Sequence, residues 1–495
     1  MRKRIKKNHM EIILACIIWY CTYLLLYKLW VQSLWIDEWY SSYVSKYMAL
    51  EWLYKSKYFL FEWLQVLFFK IWWFSDFWAR FPSILTHIWS ILLMYFIPYK
   101  LCKNKYVWLF SALIFWLLYW EIGRWRDARF YSLLQFLFLW WIYLIIKRIE
   151  TKKTIYLNST IILTCLWVIF HPFLYVLWAI LLWVFILQYK KIWDFKSLFS
   201  KKFLSTWILV ILLWICAIIY GTLWWVLKWS LTSWLSLKTK KHYFNFYNSH
   251  LWTNLWILYI VWLLWMIHFF VKKSFRNVML FFVPFALFAY ALVIKWYLMH
   301  SRYALLIYPI IVLSACIFIY DIIKLINNKY AKASILVLLL TSIVCTAKFQ
   351  FSPVESYYFD YTSPQPDFKW AYKSIPDWQK VISWFPTLCD RYYSDRWTCS
   401  NAIRVDLVHD WKTKILEKTE ESYTKVPYIS SLNDLPDWEY YLVIDNLTYK
   451  SNDINKLLAQ QLTSYWKQIY ESWKQEYNRI IIMKVLIKNK VLIKN

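Results

Sequence analysis

Apolar positions in this chain come in long unbroken runs, not in the alternation of half-buried strands or the stripe of a soluble helix. Eleven runs, near residues 10–31, 82–99, 107–123, 130–146, 154–170, 172–189, 203–223, 253–271, 277–294, 303–323 and 333–347, predict membrane spans. A helix needs roughly 20 apolar residues to cross about 30 Å of hydrocarbon. One further stretch, Phe59 to Phe74, is interrupted by Glu62 and Lys70 and is short for a crossing. It reads as an interfacial helix along the outer leaflet. The basic start, MRKRIKKN, is followed by no cleavage pattern, so the first run is expected to remain as a span.

From about residue 348 the pattern changes. Charged residues become frequent, and apolar runs shorten to strand length in "QKVISWF", "YYLVIDNL" and "NRIIIMKV". Between the last two lies "DINKLLAQQLTSYWKQIYES", which reads as a helix. The predicted fold class is therefore an all-α polytopic membrane bundle with a C-terminal extracytoplasmic α/β domain. The expected divisions are 1–347 for the membrane domain, 348–480 for the soluble domain, and 481–495 for a low-complexity basic tail carrying the repeat "KVLIKN". Cys389 and Cys399 lie in the soluble part; they either pair in an oxidising compartment or remain two free thiols.

Charge fixes the topology. The net charge of +29 would suit a nucleic-acid partner, but no basic soluble module stands apart from the membrane runs. Instead the basic residues gather between apolar runs, at 2–7, 100–105, 147–153, 190–202, 272–276 and 324–332. The positive-inside rule puts all six clusters in the cytoplasm. If residues 59–74 crossed the membrane, every later cluster would land outside. With that stretch interfacial, residues 31–80 form one extracytoplasmic loop and the soluble domain lies outside. The expected location is the cell membrane, multi-pass. A hydrophobic share of 61% and a mean hydropathy of +0.37 agree with this class.

One feature of the composition bears on every motif. Glycine occurs 2 times and tryptophan 39 times, whereas glycine ordinarily makes up about 7% of residues. Tryptophan also stands where turns want glycine: "PDW" at 376–378 and at 436–438, and "HDW" at 409–411. A membrane aromatic belt accounts for tryptophan at interfaces but not in soluble turns. The pattern is that of a gene whose UGA codons mean glycine, read with a code in which they mean tryptophan. No function is assigned to any single tryptophan.

Candidate chemistry lies in the extracytoplasmic loops. "SLWIDEWYSSYVSK" puts Asp37 beside Glu38 just after the first span. The bland reading of Asp37 is a helix N-cap. The second outer loop, "EIGRWRDARFYSLL", carries Arg124, Arg126 and Arg129 against the positive-inside bias, with Asp127 and Tyr131 among them. Arginine binds phosphate through bidentate, charge-assisted hydrogen bonds; the alternative is arginines snorkelling to lipid headgroups. His171 in "IFHPF" and Arg302 in "HSRYALLIYP" mark two other outer span ends. Outside the cytoplasmic membrane there is no pool of nucleotide-activated sugar or ATP, so a transferase there needs a donor delivered in lipid.

Taken together, "LWIDEWYSSYVSK", "FWARFPSIL" with Arg80, "RWRDARFYSLL", "HPF" and "SRYALLIYP" resemble the GT-C membrane glycosyltransferases. This broad group holds the protein O-mannosyltransferases and the aminoarabinose transferases of bacterial lipid A. The motifs run in the family's order over most of the first 310 residues. "RDARFY" resembles the family's Arg-Glu-Ala-Arg-x-Tyr, with Asp127 where Glu is usual, and the family's Pro-Pro-Leu before the interfacial helix stands here as "YFLFEWL". The resemblance implies transfer of a sugar from a polyprenyl-phosphate donor to an extracytoplasmic acceptor (protein, lipid or glycan), with inversion. Asp37 would be the general base and Glu38 would position the acceptor or orient Asp37. Arg126 and Arg129, with Arg124 and Arg302, would hold the donor phosphate, supported by Asp127, Tyr131, His171 and Arg80.

No cofactor is required by these motifs, and a divalent metal is possible without being indicated: no Asp-x-Asp pair or His/Cys cluster marks one. The expected partners are the lipid-linked donor, an acceptor and membrane lipids, without nucleic acid. The rival class is a transporter or flippase of lipid-linked sugars, which would need mid-membrane ionisable or helix-breaking residues and often internal repeats. A membrane-tethered binding protein would leave the Asp-Glu and arginine loops unexplained.

Overall fold

A computed structural model describes residues 2–29, 41–42, 45, 59–151, 153–170, 240–272 and 301–352. In the C-terminal part it describes residues 372, 374–376, 379–383, 399–403, 428–429, 438–445, 467–471, 480–488 and 491–492. The helices are α1 (Arg2–Leu26), α2 (Phe59–Trp72), α3 (Asp76–Cys102), α4 (Lys105–Leu117), α5 (Tyr119–Trp125), α6 (Tyr131–Thr151), α7 (Thr154–Phe170), α8 (Lys240–Leu255), α9 (Ile257–Lys272), α10 (Tyr308–Leu325) and α11 (Lys329–Thr346). A 3-10 turn, Ser301–Leu306, leads into α10.

Three described helices, Asp76–Cys102, Tyr131–Thr151 and Ala304–Leu325, are long and apolar enough to cross a membrane. Met10–Leu26, Tyr106–Leu117, Thr154–Leu163 and Tyr330–Thr346 are shorter apolar helices. Two expected spans differ from a straight crossing. The run at 107–123 breaks at Leu118, whose extended backbone bridges to Phe349 while Tyr119 N–H donates to the Lys348 carbonyl. The run at 253–271 is joined to α8 through a bend of 112° at Trp256. An apolar run reports burial but not such breaks, because the broken backbone is satisfied by partners distant in sequence. The expected spans 172–189, 203–223 and 277–294 lie outside the described residues.

The expected interfacial stretch is a helix, α2, with a mixed face. Phe61, Glu62, Gln65 and Phe68 are buried at helical spacing, while Trp63, Leu67, Ile71 and Trp72 are exposed. Glu62, expected to disrupt the apolar run, is on the buried side.

Helix ends explain the backbone outliers. Trp73, Lys103 and Trp256 follow the last residues of α2, α3 and α8 with positive φ of 76°, 53° and 22°. Each N–H donates four residues back, to Phe69, Tyr99 and Trp252. This is the αL C-cap, a position that glycine dominates because a Cβ is unfavourable there. Of the four described residues with positive φ, two are tryptophans, 84% and 40% exposed, and two are lysines, Lys28 and Lys103. Trp438, expected to sit in a glycine turn, instead opens the strand Trp438–Asp445; it is 47% exposed and Lys380 Nζ lies 4.5 Å from its ring centroid. Trp378 and Trp411 lie outside the described residues.

The chain divides into two compact units. The first comprises Met1–Tyr27, Leu50–Leu64 and Arg80–Pro353. Its core is helix on helix: Phe138, Trp141 and Ile142 of α6, Trp262 and Trp265 of α9, and Ile310, Ile311 and Leu313 of α10 are buried. The second comprises Lys28–Ala49, Gln65–Ala79 and Val354–Asn495. It holds a mixed sheet of β1 (Lys380–Ser383), β2 (Cys399–Ile403), β3 (Tyr428–Ile429), β4 (Trp438–Asp445), β5 (Lys467–Glu471), β6 (Ile480–Lys488) and β7 (Val491–Leu492).

The strand order is β3-β2-β1-β4-β6-β5, with β7 paired to β6. The first four strands pair in parallel; β6 runs antiparallel to β4 from Asp445↔Ile480 to Trp438↔Ile487. Val381, Ile382, Leu442, Val443 and Ile482 are buried in it. The three runs read as strands are β1, β4 and β6. Two readings are corrected. Lys467–Glu471, expected at the end of a helix, is β5, because it pairs antiparallel with the following strand β6 and pairing overrides local periodicity. The boundary drawn at 481 cuts β6, so the first of the two "KVLIKN" repeats enters the sheet instead of trailing as a tail. Cys389 lies outside the described residues, so the pairing with Cys399 does as well.

Candidate functional site

The arginine loop is built from a helix break. Helix α5 ends at Trp125, and residues 126–130 turn into α6. What holds this turn is α3: Ser83 Oγ donates to the carbonyl of Asp127 at 2.6 Å and lies 3.2 Å from that of Arg129. Ser132 Oγ caps the Arg129 carbonyl from the other side at 3.4 Å. The side chains of Arg126, Asp127, Arg129 and Tyr131 are all buried, as is Arg80, one turn before Ser83 on α3.

Burial at this level argues against snorkelling, which would leave the guanidinium heads in a polar surface layer. Arg126 reaches α1, donating through Nη1 to the Leu24 carbonyl at 3.2 Å. Arg129 lies over the Phe130 and Tyr131 rings, 5.7 and 6.0 Å from their centroids. Desolvating a cation is expensive, and a protein retains it where a counter-charge is to be met.

A second set of bonds frames the loop. Gln135 of α6 donates Nε2 to the Glu121 carboxylate of α5 at 3.0 Å and to the Leu305 carbonyl at 2.6 Å. One buried amide therefore joins α5, α6 and the 3-10 turn that contains Arg302. Arg80, Glu121, Arg126, Asp127 and Arg129 are all buried, so charged side chains of both signs are removed from water in this unit.

At the head of α10, Tyr308 bonds His250 Nε2 at 2.7 Å. Asn254 Nδ2 lies 3.2 Å from His250 Nδ1 and can donate to it, which in neutral imidazole leaves the proton on Nε2 facing Tyr308. Ser83, Glu121, Gln135, His250 and Tyr308 were not singled out from the sequence. For Glu121 and Gln135 the signal was present, as polar residues within otherwise apolar runs.

In the second unit, the segment after Asp37 and Glu38 is anchored by α2. Ser45 Oγ donates to Gln65 Oε1 at 2.9 Å, and Gln65 Nε2 donates to Ser42 Oγ at 3.3 Å and to the Ala79 carbonyl at 2.8 Å. Asp37, Glu38 and His171 themselves lie outside the described residues, as do the side chains of Arg124 and Arg302. Among the described residues no group of three or more His, Cys, Asp or Glu side chains converges as metal ligands.

No family model matches the chain, and no curated relative does. Solved structures do. ArnT from Cupriavidus metallidurans, solved with undecaprenyl phosphate bound, superposes with a TM-score of 0.54 at 10% identity, over 96% of this chain and 98% of that one. The Archaeoglobus fulgidus oligosaccharyltransferase, solved with zinc and sulfate, gives 0.53 at 11% identity over 96% of this chain and 75% of its own. Identities this low speak to architecture alone. The chain shares the fold of ArnT and of the archaeal oligosaccharyltransferase.

Proposed function

We propose that the protein is a membrane glycosyltransferase that moves a sugar from a polyprenyl-phosphate donor to an acceptor outside the cell membrane. The observation that carries this reading is the buried, serine-pinned loop of Arg126 and Arg129, on a fold whose neighbour ArnT was solved with undecaprenyl phosphate. In the reaction, the acceptor hydroxyl oxygen attacks the anomeric carbon, and the carbon–oxygen bond to phosphate breaks. The departing phosphate keeps the bonding electrons as polyprenyl phosphate. The hydroxyl proton passes to Asp37, and backside attack inverts the anomeric centre. Arg126 and Arg129 stabilise charge developing on the leaving phosphate, with Arg124 and Arg302 contributing from the neighbouring turns. Glu38 orients Asp37 or the acceptor; Arg80, Asp127, Tyr131 and His171 support the site. The soluble domain, residues 348–480 extended through β6, faces the same side.

A flippase of lipid-linked sugars is the second reading, favoured by the 112° break between α8 and α9, since broken helices are common in transporters. One experiment separates the two. Purified protein in liposomes is given a polyprenyl-phosphate-linked radiolabelled sugar and a membrane extract as acceptor source. Free polyprenyl phosphate with label moved to a new acceptor supports the transferase. Label that crosses the bilayer with the donor intact supports the flippase.

A further inference from the structure

Helices α4, α10 and α11 leave a cavity of about 510 Å³ between them. The cavity opens to one side, where Tyr106 and Leu336 are exposed, and its size and apolar walls fit a small ligand. Its walls are helical stripes. Phe110 and Leu113 come from α4, Cys316 and Ile319 from α10, and Leu336 and Leu340 from α11. No tryptophan lines it, so the cavity does not depend on how those codons are read.

The polar groups are not scattered along these walls. α10 and α11 are joined through residues 326–328, so the end of α10 and the start of α11 are neighbours. Lys324, in the last turn of α10, and Lys332, in the first turn of α11, both line the cavity and share its end. Each lies eight residues from the far wall, Cys316 on one helix and Leu340 on the other, or about 12 Å at 1.5 Å per residue. Lys324 is exposed and Lys332 half-buried. Among the described residues neither forms an ion pair with a carboxylate, and Asp321, one turn before Lys324, is outside the lining. The cavity is therefore apolar at one end and doubly cationic at the other.

We infer that this cavity binds an anionic membrane phospholipid, with its phosphate between Lys324 and Lys332 and an acyl chain against Phe110, Leu113 and Leu336. Basic pockets between membrane helices recognise such headgroups. Lys324 and Lys332 belong to the cluster that the positive-inside rule puts in the cytoplasm, so the lipid comes from the inner leaflet. The site is distinct from the arginine loop. Gln135 meets Leu305 just before the start of α10, and the lysine end lies at its other terminus, about 27 Å along an 18-residue helix.

The test is native mass spectrometry of the full chain in detergent, titrated separately with phosphatidylglycerol and phosphatidylcholine. Preferred retention of phosphatidylglycerol is expected. Lys324→Gln and Lys332→Gln, surface changes that should not disturb folding, should each reduce that preference about fivefold. Cys316→Phe, which fills the far wall, should weaken retention of both lipids. Equal retention by the unaltered protein would overturn the inference, as would a preference unchanged in the double lysine variant. Displacement of phosphatidylglycerol by stoichiometric polyprenyl phosphate would also overturn it, by making the cavity a donor site. None of these readouts uses sugar transfer, so they stand apart from the fate of the proposed activity.

Discussion

Trp73 and Trp256 hold backbone conformations that suit glycine and no bulky side chain. A non-glycine residue at positive φ costs roughly 1–2 kcal/mol, and a chain with glycine there would avoid that cost. This is a second line of evidence, independent of composition, for reading the gene's UGA codons as glycine. Tryptic peptides of the protein from its natural source should carry glycine at 73, 256, 378, 411 and 438. Tryptophan masses in those peptides would end the reading. The arginines make a different kind of residue-scale claim. If Arg126 and Arg129 each give a charged hydrogen bond to the donor phosphate, replacing either with alanine removes about 1.5–3 kcal/mol. That corresponds to a fall in kcat/KM for donor of roughly 10- to 150-fold. Lysine should restore only part of it, because it lacks the planar fork. Undiminished kcat/KM in both alanine variants would assign the pair to packing.

At the scale of elements, long apolar runs were readable because hydrocarbon demands them, and α3, α6, α7, α10 and α11 lie where those runs lie. What the runs do not carry is where a helix stops. The break at Leu118 depends on Lys348, Phe349 and Gln350, more than 200 residues away, and β5 depends on β6. The Asp-Glu and arginine motifs were legible as patterns, whereas the groups that hold the arginine loop and the serines after Asp37 were not. Ser83 and Gln65 look ordinary until the fold brings their carbonyl and hydroxyl partners to them. Gln65 gives an element-level test. Gln65→Leu leaves the Ser42 and Ser45 hydroxyls and the Ala79 carbonyl without its amide. An unsatisfied buried group costs about 1–3 kcal/mol, so thermal unfolding of this variant should begin at lower temperature than in the parent. An unchanged midpoint would mean that the segment after Asp37 is held by other contacts.

For the whole molecule, one arrangement accounts for charge, fold and motifs. The positive-inside rule assigns the basic clusters to the cytoplasm, and the proposed topology then expects the loops carrying Asp37, Arg126 and Arg129 outside. Reporter fusions should put the amino terminus and Lys196 in the cytoplasm, and Ser56, Lys240 and the sheet domain outside. A cytoplasmic sheet domain would refute this arrangement and move Asp37 with it. The central claim is that Asp37 takes a proton during sugar transfer, and one measurement bears on it most directly. Transfer from a polyprenyl-phosphate-linked sugar is compared between the parent protein and Asp37→Asn protein of matched thermal stability. The account predicts a loss of turnover of roughly 10²- to 10⁴-fold, because the amide cannot serve as the base. An N-cap role predicts that asparagine substitutes well, since it caps as readily as aspartate. Near-parental turnover by Asp37→Asn would contradict the mechanism.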